Sequence, residues 1–234
     1  MHHIVVEGWS RRQSPLHARD ARAKLGVLLV FLIGVSTTRP GAWIALGAYA
    51  VLLMIAAAIS RLPLRGLVAR ALLVLPFSAT FAMLTWWSGD GARAAMLALK
   101  ALLSALASML LVATTPVTDL ANALERLHVP RMIVLVIQFV YRYLFVISEQ
   151  AQHMRQAAAS RHGKARGRTF QAATGAIGVL FVRSWERADG IYAAMLARGF
   201  RGVLHPLNTP HFHTVDFTFL YLTVAVCLLI RVAL

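Results

Sequence analysis

Apolar positions along this chain come in long blocks, separated by short basic or proline-containing breaks. Residues 25–38, 42–59, 67–87 and 92–115 form four such blocks, and residues 217–230 form a last one. At about 1.5 Å per residue, a helix needs roughly 20 residues to cross a hydrocarbon core about 30 Å thick. The first block is short for that, and needs residues 21–23 as a shoulder or a locally thinner bilayer. The third carries Pro76 in its middle, which predicts a kink, tolerable in a bundle whose neighbours satisfy the freed carbonyl. The fourth contains Lys100.

A further apolar segment, residues 132–147, has the hydropathy of a span, but the placement of charge argues that it does not cross. Five basic residues in the first 24 (Arg11, Arg12, Arg19, Arg22 and Lys24) put the N-terminus in the cytoplasm, and four crossings return the chain there at Pro116. Were residues 132–147 to cross, nine basic residues between 149 and 213 would face outward, against the positive-inside bias. With the segment at the inner surface, 20 of the 24 basic residues are cytoplasmic. Gln138 and Arg142 agree, since an unpaired Arg at bilayer depth costs roughly 2.5–3.5 kcal/mol on insertion scales. Trp43, Trp86 and Trp87 then fall at outer helix ends, as an interfacial belt requires.

Composition supports the membrane reading. Of 234 residues, 59% are apolar and 14% charged, too few charges to coat a water-exposed globule. Basic residues number 24 against nine acidic, which the cytoplasmic loops absorb without invoking nucleic acid. Residues 1–24 hold no apolar leader core, so a mature, uncleaved N-terminus is expected. Cys227 is alone and cannot form an internal disulfide. The expected fold is an all-α membrane protein of about five transmembrane helices plus a cytoplasmic module. Its parts are a cytoplasmic N-terminal segment 1–24, a four-helix region 25–115, the module 116–204, and a linker with a final transmembrane helix, 205–234.

The module reads as three helices. Thr115-Pro116 is an N-cap and N1 pair, and the first helix runs to about Leu127, ahead of Pro130. The second continues through Glu149 to about Arg161, with an apolar first half and a polar second half. The third, residues 171–198, has a 3.6-residue period that gathers Ile177, Leu180, Phe181, Trp185, Ala188, Ile191, Tyr192 and Met195 on one face, with Arg183, Glu186 and Arg187 off it. Both long helices end alike, in Ala159-Ser160-Arg161-His162-Gly163 and Ala197-Arg198-Gly199-Phe200. A last-turn Arg complements the helix dipole, and Gly takes the left-handed position just beyond. Projecting from a basic module, the same guanidinium with its fixed fork of donors suits a carboxylate on a partner protein.

Signs of catalysis are missing from the sequence. Gly163-Lys164 is followed by Ala165 and lacks an upstream glycine, so it is no phosphate loop, and no His-Glu-x-x-His or paired carboxylates occur. The close histidine pairs, His2-His3 and His211/His213, have no Cys or carboxylate cluster to complete a metal site. Lys100 could serve a substrate or proton inside the membrane. It sits near the outer end of its block, however, and reads better as a snorkelling side chain.

Several stretches resemble one family. Ser14-Pro15-Leu16-His17 with Asp20, Arg22, Lys24 and Leu25 is similar to its N-terminal signature. The likeness continues through Ser60-Arg61-Leu62-Pro63-Leu64 and Tyr141-Arg142-Tyr143. It is sharpest at Arg183-Ser184-Trp185-Glu186-Arg187-Ala188 and at Tyr192 through Phe200. Over essentially its whole length the chain resembles the T component, the transmembrane energizing subunit, of energy-coupling factor importers, of the CbiQ/NikQ type that serves cobalt or nickel uptake.

The resemblance implies a non-catalytic subunit in the cell inner membrane. Its partners would be two ABC-type ATPases, which bind ATP and magnesium, and a small membrane S component that holds the substrate; this chain itself would need no cofactor. In that family two Ala-Arg-Gly motifs at the ends of coupling helices dock on the ATPases. The second falls on Ala197, Arg198 and Gly199. The first aligns with Ser160-Arg161-His162, keeping the Arg, while Ala165-Arg166-Gly167 is a literal match five residues on. Arg161 is preferred because it ends the continuous helix. Competing readings are an autonomous secondary transporter, for which no internal repeat is found, a vitamin-type importer subunit, and a membrane-anchored nucleic-acid binder built on residues 149–204.

Overall fold

The computed structural model describes residues 14–39, 41–162, 169–202 and 214–233, and among them every regular element is helical. In chain order the helices are α1 (Ala21–Thr37), α2 (Trp43–Ile59), α3 (Leu64–Ala71), α4 (Leu75–Trp87), α5 (Gly91–Thr114), α6 (Val117–Arg126), α7 (Arg131–His162), α8 (Thr169–Ala197) and α9 (Thr214–Ala233). Four stretches among them are long and apolar enough to cross a bilayer: residues 66–87, 91–114, 131–160 and 214–231. Trp43–Ile59 is a shorter apolar helix, and α1 has 17 residues. The protein is an all-α membrane protein.

The chain divides into two compact units, residues 1–123 with 209–234, and residues 124–208. In the first, α5 is the central helix, packed against α1, α2, α3 and α4, while α9 packs on α1 and α2. Its core is drawn from Phe31, Val35, Leu46, Tyr49, Leu53, Met96, Leu103, Ala107, Cys227 and Ile230. Between membrane helices lipid offers no hydrophobic penalty to separation, so close packing and interhelical hydrogen bonds must hold them. Both operate at Tyr49. Its ring is fully buried, stands edge-on to Phe31 with centroids 5.5 Å apart, and its hydroxyl donates to the Cys227 carbonyl at 3.3 Å. Gly34 makes room for it, since a Cβ there would lie 2.7 Å from the tyrosine oxygen.

One expectation is refined and one corrected. The helical stretch 66–87 is not one uninterrupted α-helix. The α pattern breaks one turn before Pro76, in a 3₁₀ turn over Leu72–Val74, and the proline sits in the first turn of α4. The Leu75 amide bonds back to Leu72 with three-residue spacing, so the carbonyl that proline cannot serve is satisfied before the proline is reached. Thr115 is not the N-cap of α6. Its hydroxyl is buried without a partner, and Pro116 holds the cap position, its carbonyl accepting from Asp119 and Leu120 at 3.1 Å each.

The second unit is built on α7 and α8, which pack on each other. Leu180, Ile191 and Met195 of the anticipated face are half-buried. Ile177, Phe181, Trp185 and Tyr192 are 58–67% exposed, and Ala188 is also exposed. The apolar surface of α8 is therefore wider than its own unit covers. At the α6–α7 corner His128 adopts a left-handed φ of 68°, and Arg131 pairs with Glu125 at 3.3 Å.

Candidate functional site

Three polar features stand out against the apolar helices. The first is the end of α8. Gly199 has φ 79°, the Phe200 amide donates to Met195 O at 3.0 Å, and the Gly199 amide donates to Leu196 O at 2.9 Å. These two bonds, with glycine left-handed between them, form a Schellman motif, which closes the helix sharply. Ala197 is the last helical residue; it, Arg198 and Gly199 are exposed. The arginine stands on a backbone fixed by its neighbours, with its side chain in solvent.

At the end of α7, Ser160 is exposed and its hydroxyl turns back to Ala157 O at 2.9 Å. Arg161 lies in the last turn of the helix. Ala165-Arg166-Gly167, His211 and His213 fall outside the described residues, as do His2 and His3. Between α7 and α8 runs a groove of about 700 Å³, with Glu149 and His153 on one wall and Arg183 and Arg187 on the other. His153 Nε2 lies 3.8 Å from Glu149 Oε1. Arg142, expected to be costly in a bilayer, is exposed and lies over the Tyr143 ring at 5.8 Å.

The second feature is Lys100. Its ammonium donates to the carbonyls of Ser36 at 3.1 Å and Thr38 at 2.8 Å. These are end carbonyls of α1, where a cation complements the helix dipole. The lysine caps a helix, a role that only the positions of the facing residues reveal and that sequence periodicity does not signal.

The third is a buried junction around Lys24. Ser14 opens a turn, its hydroxyl 2.6 Å from His17 Nδ1, and Leu16 enters an apolar cluster with Ala57, Leu62, Leu67, Leu110 and Ala113. Asp20 caps α1 by accepting from the Arg22 amide at 2.9 Å, and its own amide points to Asp216 Oδ1 at 3.4 Å. Lys24 donates to His17 O at 3.2 Å and to Thr114 O at 3.1 Å. Arg19 reaches Asp216 at 3.9 Å. Asp20, Asp119 and Asp216 all act on the Lys24 charge. Partial desolvation raises the Asp119 carboxyl above its ordinary range, and the Lys24 ammonium opposes that rise. The Ser60-Arg61-Leu62-Pro63-Leu64 stretch forms the α2–α3 turn, with Ser60 buried and Arg61 left-handed at φ 53°.

Among the described residues no group of three or more His, Cys, Asp or Glu side chains converges on a metal-sized site. The polar features lie at helix ends, and the cavity of about 300 Å³ beside Lys24 and Thr114 is otherwise lined almost wholly by apolar side chains.

Comparison with known proteins places these features in a family context. The chain is 32% identical to the cobalt transport protein CbiQ of Rhodobacter capsulatus over 161 residues, 64% of this chain and 66% of that one. It is 31% identical to an uncharacterized protein of Methanocaldococcus jannaschii over 122 residues, 51% of this chain and 46% of that protein. A putative fused cobalt transport protein, CbiMQ, of Methanocorpusculum labreanum matches at 27% over 92 residues, 39% of this chain and 15% of the fusion. These matches span between about one seventh and two thirds of the relatives' own lengths. The family described as CbiQ, cobalt transport protein, matches residues 12–210, from just before the Ser14 turn to beyond the Arg198 helix end. A multi-pass helical chain that carries this match across both of its compact units belongs to the CbiQ family of cobalt transport proteins.

Proposed function

We propose that this chain is the energy-coupling membrane subunit of an ATP-driven importer for cobalt or nickel. It is not itself a catalyst. Two partner ATPases bind ATP and magnesium, and a small membrane S component carries the ion. Arg161 and Arg198, with Ser160, Ala197 and Gly199 shaping the two helix ends, dock on the ATPases. When these close on ATP, the arginines move with them and α7 and α8 transmit the displacement to the membrane helices.

One observation carries the reading: Arg198 projects into solvent from a helix end that the Gly199 Schellman motif holds in one geometry. A docking cation gains by such preorganisation, because less ordering is left to be done on binding. The uncovered apolar stripe of α8 supports a further protein contact, since large apolar patches on a chain this basic need a covering partner. The fused relative supports a membrane partner, because joining two chains raises their effective concentration only if they work together. Lys100 weighs against an autonomous carrier, two of its three donors being engaged by the α1 carbonyls.

In this arrangement residues 1–24 and 116–204 lie in the cytoplasm of a cell with the chain in its inner membrane. Residues 132–147, although long and apolar, then rest at the inner surface by the parity of the basic segments.

The test is a pull-down of the tagged chain from solubilised native membranes with identification of what accompanies it. Two ATPases and a small membrane protein are expected, and their loss from an Arg161→Glu/Arg198→Glu chain that still inserts. Equal recovery of the ATPases with that double variant overturns the docking role. Recovery of a monodisperse chain alone overturns the importer reading.

A further inference from the structure

The coupling role leaves the Lys24 junction unexplained. Lys24, Asp20 and Asp216 are 6%, 8% and 3% exposed, so three charged groups have been withdrawn from water at one place. Stability alone does not call for this. Buried ionic groups replaced by well-packed apolar ones of similar size often leave a protein no less stable, whereas removing one partner is costly. What a buried ammonium adds is a fixed position, because it must sit where its acceptors are.

Those acceptors are telling. One is the carbonyl of Thr114, the last residue of α5. Immediately after it Thr115 leaves the helix with φ −137° and ψ 122°. Its hydroxyl is buried without a partner, and Pro116 has no amide hydrogen to give. From there α6 leads along the chain into residues 124–208. At this turn the Thr115 hydroxyl and the Pro116 nitrogen supply no hydrogen bond, the Pro116 carbonyl serves only α6, and Lys24 fastens the Thr114 carbonyl from another helix. The second acceptor, His17 O, ties the N-terminal turn to the same ammonium, and Asp216 brings in α9 through the Asp20 amide and Arg19.

We propose that Lys24 is a positioning residue for energy coupling, the fixed point from which α6 departs. It holds the α5–α6 root so that displacement of residues 124–208 is passed to the membrane helices and not absorbed by unwinding at Thr114–Pro116. The inference rests on the coupling role proposed above.

The experiment uses the complete complex reconstituted in vesicles, with ATP hydrolysis and cobalt uptake measured on the same preparation. Lys24→Met is expected to keep the ATPases bound and hydrolysing, while uptake per ATP falls about tenfold or more, the effect of losing a charged hydrogen bond at the root. A purely structural role would lower assembly, hydrolysis and uptake together and leave their ratio unchanged. Asp216→Asn, nearly isosteric, is the second variant should Lys24→Met fail to assemble, with a smaller fall in the same ratio. A wild-type ratio in the variant that assembles overturns the fixed-point role alone. A wild-type chain that recruits no ATPase overturns the coupling role and this inference with it.

Discussion

Lys24 and Lys100 hold opposite ends of one helix pair. Lys24, in the first turn of α1, donates to the Thr114 carbonyl at the end of α5. Lys100, on α5, donates to the Ser36 and Thr38 carbonyls at the end of α1. Each ammonium meets the negative end of the neighbouring helix's dipole, so the two helices run antiparallel and are locked in register at both ends. A slide of one turn would strand both cations.

If Lys100 is a cap, Lys100→Met should destabilise the purified chain by about 1–3 kcal/mol, the range for charged and interhelical hydrogen bonds. The readout is the melting temperature in detergent, with uptake falling only in proportion to folded chain. Abolished uptake at an unchanged melting temperature would make it a cargo or proton site.

Gly34→Ala places a methyl 2.7 Å from the Tyr49 oxygen. Overpacking of this kind costs about 1–3 kcal/mol. Adding Tyr49→Phe should recover part of the loss, because the nearest atom in the clash is then gone. Chemical denaturation of the single and double variants measures the coupling.

Gly199 and Arg198 separate structure from docking. Gly199→Ala forces a Cβ into φ 79° and should cost about 1 kcal/mol, fraying the end of α8. Arg198→Glu should lower the melting temperature only slightly, since the side chain is exposed and loses no more than its favourable place at the helix end, yet remove an ATPase from the complex. Hydrogen exchange at residues 195–200 and co-purification report the two effects independently.

Topology can be read with single cysteines in a Cys227→Ser background. Ser160→Cys, on an exposed helix end, should react with an impermeant reagent only after the inner face is opened. Ser88→Cys, in the exposed turn after α4, should react in sealed cells. The reverse pattern would place residues 149–204 outside.

The helices were legible because their determinants are local. Apolar block length and the Pro130 and Gly199 breaks set the ends of α2, α5, α7 and α8 to within a few residues. The end of α8 was legible for the same reason, its Ala-Arg-Gly-Phe stretch carrying its own stop. Where the outcome depended on groups far apart in sequence, the reading fell short. Lys100 meets residues 62 and 64 positions away, and Lys24 meets one 90 positions away. Thr115 read as a cap by residue type, but burial and the following proline moved the cap to Pro116. The 3₁₀ turn before Pro76 was likewise invisible to a rule that places the distortion at the proline itself.

The uncovered stripe of Ile177, Phe181, Trp185 and Tyr192 also bears on how the cell must make this protein. Under the coupling role proposed above, a chain released without its partners presents two large aromatic rings, Phe181 and Trp185 with centroids 6.4 Å apart, to whatever apolar surface it meets first. Surplus copies would self-associate or be degraded, so the abundance of the subunit should track that of its partners, and matched synthesis is the condition for its accumulation.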